Sequence, residues 1–137
     1  LAQVLKNLGC EAAWVVHGAD GLDEMTTTGA SHVAQLKLGE ITTFEVTPDD
    51  AGLATAQPED LKGNDAAHNA EALIGVLDGA RGPYRDIVLY NAAGALIVAA
   101  KAQDLKEGAA MAAEAIDGGK AKAALDKLIA ITNEGRA

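Results

Sequence analysis

Residues 11–18, EAAWVVHG, form a short apolar run that ends in glycine and follows a predicted helix. A run of this length with Trp-Val-Val at its centre is typical of a buried strand in an α/β sheet. The helix before it covers residues 1–9, LAQVLKNLG, and Gly9 occupies the position of a C-terminal cap. A helix that leads directly into a buried strand therefore indicates the α/β class.

Two further strands are predicted after the turn that follows this run. Residues 31–37, SHVAQLK, and 41–47, ITTFEVT, show the partial alternation of apolar and polar side chains found in strands. The link between them contains Leu38, Gly39 and Glu40 and is short enough for an antiparallel hairpin. We therefore expect the strands in the first third of the chain.

Helices are predicted for the remainder of the chain, after a loop rich in proline and acidic residues. Apolar spacing, capping residues and glycine stops define four of them, at 65–79, 83–102, 105–119 and 120–135. The sequence thus predicts part of a mixed β-sheet flanked by helices, in one domain.

The same spacing predicts which helical surfaces are buried. The helix that begins at Pro83 is apolar on nearly all sides, so we expect it to be the most buried. The helix at 105–119 has an apolar face, and we expect the last helix to bury three of its side chains in the core. These positions are Leu105, Gly108, Met111, Ala112 and Ala115 on the first face, and Leu125, Leu128 and Ile129 on the second.

Composition limits the classes of partner. Eleven basic against twenty acidic residues give a net charge of −9, and aromatic residues make up only 3% of the chain. An acidic surface repels nucleic acid, and few rings are present to stack on bases, so no nucleic-acid partner is expected. No apolar run reaches the roughly 18 residues that a membrane helix needs, so no membrane partner is expected either.

The single cysteine, Cys10, excludes an internal disulfide and is typical of a reducing compartment. We therefore predict a cytoplasmic protein, with Cys10 as a small core residue beside Gly9. The sequence begins without Met and inside a predicted helix. We take it to be a piece of a longer chain.

Two adjacent carboxylates, Asp23 and Glu24, stand out in the segment HGADGLDEMTTTG, residues 17–29. The segment is a glycine-flanked turn directly after a predicted strand, and ligands of α/β sheets gather beyond the carboxyl ends of strands. Mg²⁺ is commonly held by one or two carboxylates together with substrate phosphates. Spacing alone leaves two explanations open, a Mg²⁺ site and a solvated turn.

Other polar residues give weaker signals. The three histidines, His17, His32 and His68, show no spacing typical of a metal site. Ser31 and His32 are neighbours on a strand and point to opposite faces, so they cannot act as nucleophile and base. Among three asparagines (Asn64, Asn69 and Asn91), we expect Asn91 to bond a neighbouring loop.

Four segments together resemble the C-terminal part of anthranilate phosphoribosyltransferases. They are VVHGADGLDEMTTTGASHVAQLKLGEI (15–41), FEVTPDDAGL (44–53), LKGNDAAHNAEALIGVLDGARGPYRDIVLYNAAGALIVA (61–99) and LKEGAAMAAEAIDGGKAKAALDKL (105–128). The most specific parts are GLDE and the pair NDAAHNA and NAAGAL. The resemblance covers nearly the whole chain in the family's order.

This resemblance implies the large domain of the nucleoside phosphorylase/phosphoribosyltransferase fold, with residues 1–137 as the C-terminal segment of its α/β domain. It implies transfer of the phosphoribosyl group from phosphoribosyl pyrophosphate (PRPP) to anthranilate, a step of tryptophan biosynthesis. Asp23 and Glu24 match the family's Mg²⁺-binding pair. By analogy two ions are held on the pyrophosphate, with Glu24 serving both and Asp23 one.

The resemblance also implies what residues 1–137 lack. The family's N-terminal half carries the G-T-G-G-D loop for PRPP, the basic residues that contact anthranilate, and the helical domain most associated with its homodimer. None of these motifs is found here, so no catalytic or further cofactor-binding residue is assigned. We expect the segment alone to be inactive. The alternatives are a pyrimidine nucleoside phosphorylase of the same fold and a non-catalytic fragment that binds Mg²⁺.

Overall fold

The computed structural model describes residues 1–134 and begins with a three-stranded sheet after one short helix. The strands are β1 (Ala12–Gly18), β2 (Ser31–Lys37) and β3 (Glu40–Val46), in the order β1-β2-β3. Each predicted strand lies within one residue of its observed position. Both pairings are antiparallel, so the part of the sheet within residues 1–134 is antiparallel, and the α/β class with its strands in the first third of the chain is confirmed.

The β2–β3 hairpin is closed by only two residues. Leu38 and Gly39 both have positive φ, 51° and 80°, and Glu40 already pairs with Lys37. Positive φ at both central positions matches the right-handed twist of the flanking strands. Gly39 adopts it without a steric penalty, and the Leu38 side chain is left exposed.

The first strand is less buried than the sequence predicts. Residues 12–16 are half-buried, because β1 is an edge strand and α3 packs on one of its faces. Trp14 on β1 meets Phe44 on β3 edge to face, with ring centroids 5.5 Å apart, and its indole N–H donates to Gln35 Oε1 at 2.9 Å. An edge strand is thus fixed to the sheet by its aromatic residue.

Within residues 1–134, five α-helices and two 3₁₀ helices complete the fold. The α-helices are α1 (Ala2–Asn7), α2 (Ala66–Leu77), α3 (Pro83–Val98), α4 (Leu105–Asp117) and α5 (Lys120–Asn133), and the 3₁₀ helices are Pro48–Ala51 and Pro58–Leu61. The prediction of four helices after the strands is confirmed. Asp104, the residue before the predicted helix start at 105, caps α4 and accepts the Glu107 N–H at 2.8 Å.

Helix α3 ends at Val98 and not at the predicted Ala102. Ala100 turns left-handed with φ 54°, and the N–H of Lys101 donates back to the Leu96 carbonyl at 2.8 Å. These bonds satisfy the last carbonyls of the helix without a glycine. Because no glycine is present, the sequence carries no stop signal at this position.

The core lies where α3 crosses α4. A Cβ added to Gly108 would lie 2.8 Å from both Cα and Cβ of Ala93. The two helices therefore approach so closely that only a hydrogen fits at position 108. The prediction that α3 is the most buried helix is confirmed, because only two of its sixteen residues are exposed, against six of thirteen on α4. Each of the two helices has five buried residues: Arg85, Leu89, Tyr90, Ala93 and Gly94 on α3, and Leu105, Gly108, Ala109, Ala112 and Ile116 on α4.

Three predictions about burial are wrong. On α4, Met111 is 37% exposed, since the buried face runs through Ala109 and Ile116. On α5, Leu128 and Ile129 are 58% and 51% exposed, because the helix meets the core near its start. Cys10 is exposed, since it lies in the turn after α1 and not in the core.

One ionic contact links α3 to α4. The guanidinium of Arg85, which is 1% exposed, places Nη1 2.8 Å from Asp117 Oδ1, and its Nη2 donates to Oδ2 at 2.9 Å. The hydrogen bond from Arg85 holds the pKa of Asp117 below its ordinary value. Within residues 1–134, none of the helices has the length and apolar character required to cross a bilayer.

Candidate metal site

The segment between β1 and β2, residues 19–30, continues their pairing and then folds into a turn. The N–H of Ala19 donates to the Ala30 carbonyl at 2.9 Å, and the N–H of Gly18 donates to the Leu22 carbonyl at 2.9 Å. Gly21 has a φ of 98°, which favours glycine. The two strand ends therefore fix the base of the turn that carries Asp23 and Glu24.

Asp20 organises the interior of this turn. Its Oδ2 accepts from the hydroxyls of Thr26 at 2.6 Å and Thr28 at 2.7 Å, and its Oδ1 accepts from the N–H of Leu22 at 3.1 Å. Desolvation raises the pKa of Asp20, but these hydrogen bonds outweigh it and hold the pKa below its ordinary value. Asp20 is thus occupied by the protein itself and is not a free metal ligand.

Gly18 makes this arrangement possible. A Cβ at position 18 would lie 2.6 Å from Asp20 Oδ1 and 3.1 Å from Thr26 Cβ. The end of β1 therefore needs glycine so that the carboxylate and the threonine can close over it.

Asp20→Ala is expected to loosen the turn without unfolding the protein. Leu22 N–H loses its acceptor, so its amide exchange rises roughly tenfold, the net worth of about one hydrogen bond. Hydrogen exchange followed by NMR measures this. Asp60→Ala is the control, because Asp60 accepts from the Gln57 N–H in a comparable cap outside this turn. Unchanged exchange at Leu22 in Asp20→Ala would show that the carboxylate does not hold the turn.

The residues directly after the pair are anchored in the core. Met25, Thr26 and Thr27 are at most 1% exposed. Asn91 on α3 bonds both main-chain groups of Met25: the Met25 N–H donates to Oδ1 at 2.9 Å, and Nδ2 donates to the Met25 carbonyl at 2.8 Å. The prediction that Asn91 bonds a neighbouring loop is therefore confirmed.

Asp23 and Glu24 themselves are exposed at the surface of this anchored turn. Within residues 1–134 neither carboxylate has a basic partner within ion-pair distance or a side-chain hydrogen bond. Burial raises the pKa of Glu24, and the neighbouring charge of Asp23 raises it further. Two uncompensated carboxylates side by side are stabilised by a cation between them.

The donor set fits Mg²⁺ with an open coordination sphere. Two carboxylates provide the hard oxygen ligands that this ion prefers. The described part of the chain contains no group of three or more His, Cys, Asp or Glu side chains arranged to hold a metal ion. Asp23 and Glu24 would therefore supply only part of the coordination, and water or a phosphorylated ligand would complete it.

The remaining polar candidates lie outside this pair. His17 is exposed and faces His32 across the β1–β2 pairing, and His32 Nδ1 lies 3.1 Å from Glu45 Oε1. Ser31 is fully buried and accepts the Thr26 N–H at 2.9 Å, whereas His32 is exposed. The two neighbours thus lie on opposite faces, as the sequence predicts.

The asparagines at α2 bond each other. The Asn64 N–H donates to Asn69 Oδ1 at 2.9 Å, and Asn69 Nδ2 donates to the Asn64 carbonyl at 3.2 Å. His68 donates its main-chain N–H to the cap residue Asp65. These residues order the start of α2.

Comparison with known proteins places this chain in a family. Residues 1–122 match the family described as "Glycosyl transferase family, a/b domain". The chain belongs to this family. It is 61% identical over 132 residues to anthranilate phosphoribosyltransferase of Rhodopseudomonas palustris (strain TIE-1). That alignment covers 96% of this chain and 39% of the relative, so the chain spans about two fifths of the relative's length and matches its C-terminal part.

Solved structures of this glycosyl transferase family superpose on nearly all of the chain. Anthranilate phosphoribosyltransferase from Thermus thermophilus has a TM-score of 0.83 at 35% identity, covering 94% of this chain and 38% of that one. The Saccharomyces cerevisiae enzyme in complex with PRPP and Mg has a TM-score of 0.77 at 28% identity, covering 85% and 34%. The expected fold is therefore confirmed by structure as well as by sequence.

The sequence locates the carboxylate pair but not the residues that support it. Asp20, Gly18 and Thr28 have only a local signal, an Asp-Gly step before a run of threonines, which is typical of side chains that bond a turn. The Asn91 contact was expected, but its partner, Met25, could not be identified before the fold brought α3 against the turn.

Proposed function

We propose that the protein containing residues 1–137 transfers the phosphoribosyl group of PRPP to anthranilate, with Asp23 and Glu24 holding Mg²⁺ on the pyrophosphate of the donor. The observation that carries this proposal is the exposed, uncompensated carboxylate pair on a turn that buried residues anchor. Identity of 61% to an anthranilate phosphoribosyltransferase over nearly the whole chain supports the choice of substrates. So does the yeast relative in complex with PRPP and Mg.

The chemistry of the reaction explains why a metal-binding pair is needed. As pyrophosphate leaves C1 of the ribose, negative charge develops on the leaving group, and a divalent cation neutralises it as a Lewis acid. Asp23 and Glu24 alone would repel pyrophosphate, so their role in the proposal is to hold the cation. Asp20, Thr26 and Thr28 hold the turn in shape while the ligands exchange.

Several finer parts of the proposal rest on the resemblance, and one of them, the cytoplasmic location, rests on the single cysteine. Residues 1–137 would form the C-terminal segment of the α/β phosphoribosyltransferase domain. Two Mg²⁺ ions would bind, Glu24 contacting both. The protein would be a cytoplasmic homodimer that joins through a part outside these residues. The segment alone would be inactive, because the PRPP loop is not within it.

The loss of anthranilate fluorescence in the presence of PRPP and Mg²⁺ tests the proposal. We expect turnover by the longest polypeptide that contains this chain, abolished by EDTA and restored by Mg²⁺. We expect none from residues 1–137 by themselves. Turnover by the short segment would overturn its predicted inactivity. A long polypeptide that leaves anthranilate unchanged, yet cleaves a pyrimidine nucleoside with phosphate, would overturn the proposed function in favour of the phosphorylase.

A further inference from the structure

We propose that Asn91 is a positioning residue for the metal-binding turn, and that its contact with Met25 sets the affinity of the site for a divalent cation. This inference rests on the proposed role of Asp23 and Glu24. Asn91 lies on α3, distant in sequence from the turn, and would touch neither metal nor substrate. It would act through the main chain of the residue that follows Glu24.

The amide of Asn91 is fully used in this contact. Its Oδ1 accepts the Met25 N–H at 2.9 Å, and its Nδ2 donates to the Met25 carbonyl at 2.8 Å and to the Ile87 carbonyl at 3.0 Å. Paired bonds to both main-chain groups of one residue resemble the pairing of a neighbouring strand. The bond to Ile87 fixes the amide on its own helix. Residue 25 is therefore held in both position and orientation.

The side chain of Met25 is fixed by the same helix. It is 1% exposed, and a Cβ on Gly94 would lie 2.9 Å from its Cε. Gly94 is one turn along α3 from Asn91. Asn91 therefore holds the main chain of Met25, and the next turn of the helix, at Gly94, contacts its side chain. Met25 thus forms a fixed point directly after the carboxylate pair.

The need for such a fixed point follows from the charges before it. Asp23 and Glu24 are adjacent exposed carboxylates with no basic partner within ion-pair distance among residues 1–134, so their like charges repel each other. Without a cation this repulsion favours conformations in which the turn opens. An anchor one peptide bond after Glu24 limits that opening, so less conformational entropy is lost when a cation binds.

A matched control lies in the same chain. Asn69 makes the same two bonds to the main chain of Asn64, at 2.9 and 3.2 Å, at the start of α2. Both asparagines precede an alanine and both lie on a helix. Asn69 is distant in sequence from the turn, so its loss removes an equivalent contact and leaves the carboxylate pair alone.

The test compares Asn91→Ala with Asn69→Ala in the longest polypeptide that contains this chain. Binding of Mn²⁺, titrated with inorganic pyrophosphate present and followed by electron paramagnetic resonance, gives the dissociation constant. We expect Asn91→Ala to raise it about 10- to 100-fold, the usual effect of losing a partner that orients a ligand. Hydrogen exchange at the Met25 amide should accelerate. Asn69→Ala should change neither quantity.

A second variant keeps the test decisive if Asn91→Ala does not fold. Asn91→Asp keeps an acceptor for the Met25 N–H and removes the two donated bonds. Its added negative charge would by itself strengthen cation binding, so weaker Mn²⁺ binding would support positioning and stronger binding would overturn it.

The outcomes separate this inference from the proposed function. If Asp23→Asn weakens Mn²⁺ binding but Asn91→Ala binds it like the wild type, the positioning role is wrong and the proposed function stands. If Asp23→Asn also binds Mn²⁺ like the wild type, the carboxylate pair is not the metal site, and both fail.

Discussion

In the longest polypeptide that contains this chain, Asp23→Asn and Glu24→Gln are each expected to lower kcat/KM for the proposed phosphoribosyl transfer by roughly 100-fold or more, equivalent to about 2.7 kcal/mol of transition-state stabilisation. Each substitution keeps the size of the side chain and removes one negative charge from the pair. Within residues 1–134 no basic side chain lies within ion-pair distance of either carboxylate, so Mg²⁺ is their only proposed counter-ion. The Mg²⁺ concentration for half-maximal rate should rise in both variants. Steady-state kinetics across a Mg²⁺ titration measures this.

Asp49→Asn is the control for this prediction. Asp49 is an exposed acid in the 3₁₀ helix at Pro48–Ala51 and has no side-chain hydrogen bond among the described residues. Its removal lowers the net negative charge equally but leaves the turn intact. If Asp23→Asn and Glu24→Gln kept the rate and Mg²⁺ dependence of Asp49→Asn, the pair would be a solvated turn.

Gly108→Ala is expected to lower the free energy of unfolding by about 1–3 kcal/mol, the usual cost of forcing a methyl group into a packed core. The new Cβ would lie 2.8 Å from the Cα and Cβ of Ala93 and 3.0 Å from its carbonyl oxygen. Two of these three atoms are backbone, so a rotamer change cannot relieve the clash and α3 and α4 must separate. Urea unfolding followed by circular dichroism measures the change.

A glycine-to-alanine substitution at a helix position with free space should instead raise the free energy of unfolding. Gly75 lies inside α2, and a Cβ there would meet only the Ala80 Cβ, at 4.0 Å. Gly75→Ala should stabilise the protein by about 0.5–1 kcal/mol, because alanine loses less backbone entropy in a helix. If Gly108→Ala were equally stabilising, the close approach of α3 and α4 would be wrong.

The elements of the fold that could be predicted are those whose signals are local. The boundaries of β2, the short hairpin link after it and the cap at Asp104 depend on residues that are neighbours in sequence. The exposure of Leu128 and Ile129 could not be predicted. Apolar spacing shows that a helix has an apolar face, but not whether another element covers it.

In the candidate site, too, local features could be predicted from the sequence, whereas contacts between distant residues could not. The carboxylate pair could be located from the sequence, because adjacent acids on a glycine-flanked turn are visible in one segment. The contacts that hold the turn join residues across the fold, such as Asn91 to Met25. The bidentate contact of Arg85 with Asp117 likewise joins two helices. Neither pairing follows from spacing, because it exists only once α3 has packed against its neighbours.

The most direct measurement is a crystal structure of the longest polypeptide that contains this chain, grown with PRPP and Mn²⁺ in place of Mg²⁺. Anomalous scattering locates the manganese independently of the phosphates. We expect manganese in direct contact with carboxylate oxygens of Asp23 and Glu24, near the roughly 2.1 Å typical of Mg²⁺, and with the pyrophosphate of the donor. Manganese bound to PRPP with neither carboxylate in contact would contradict it.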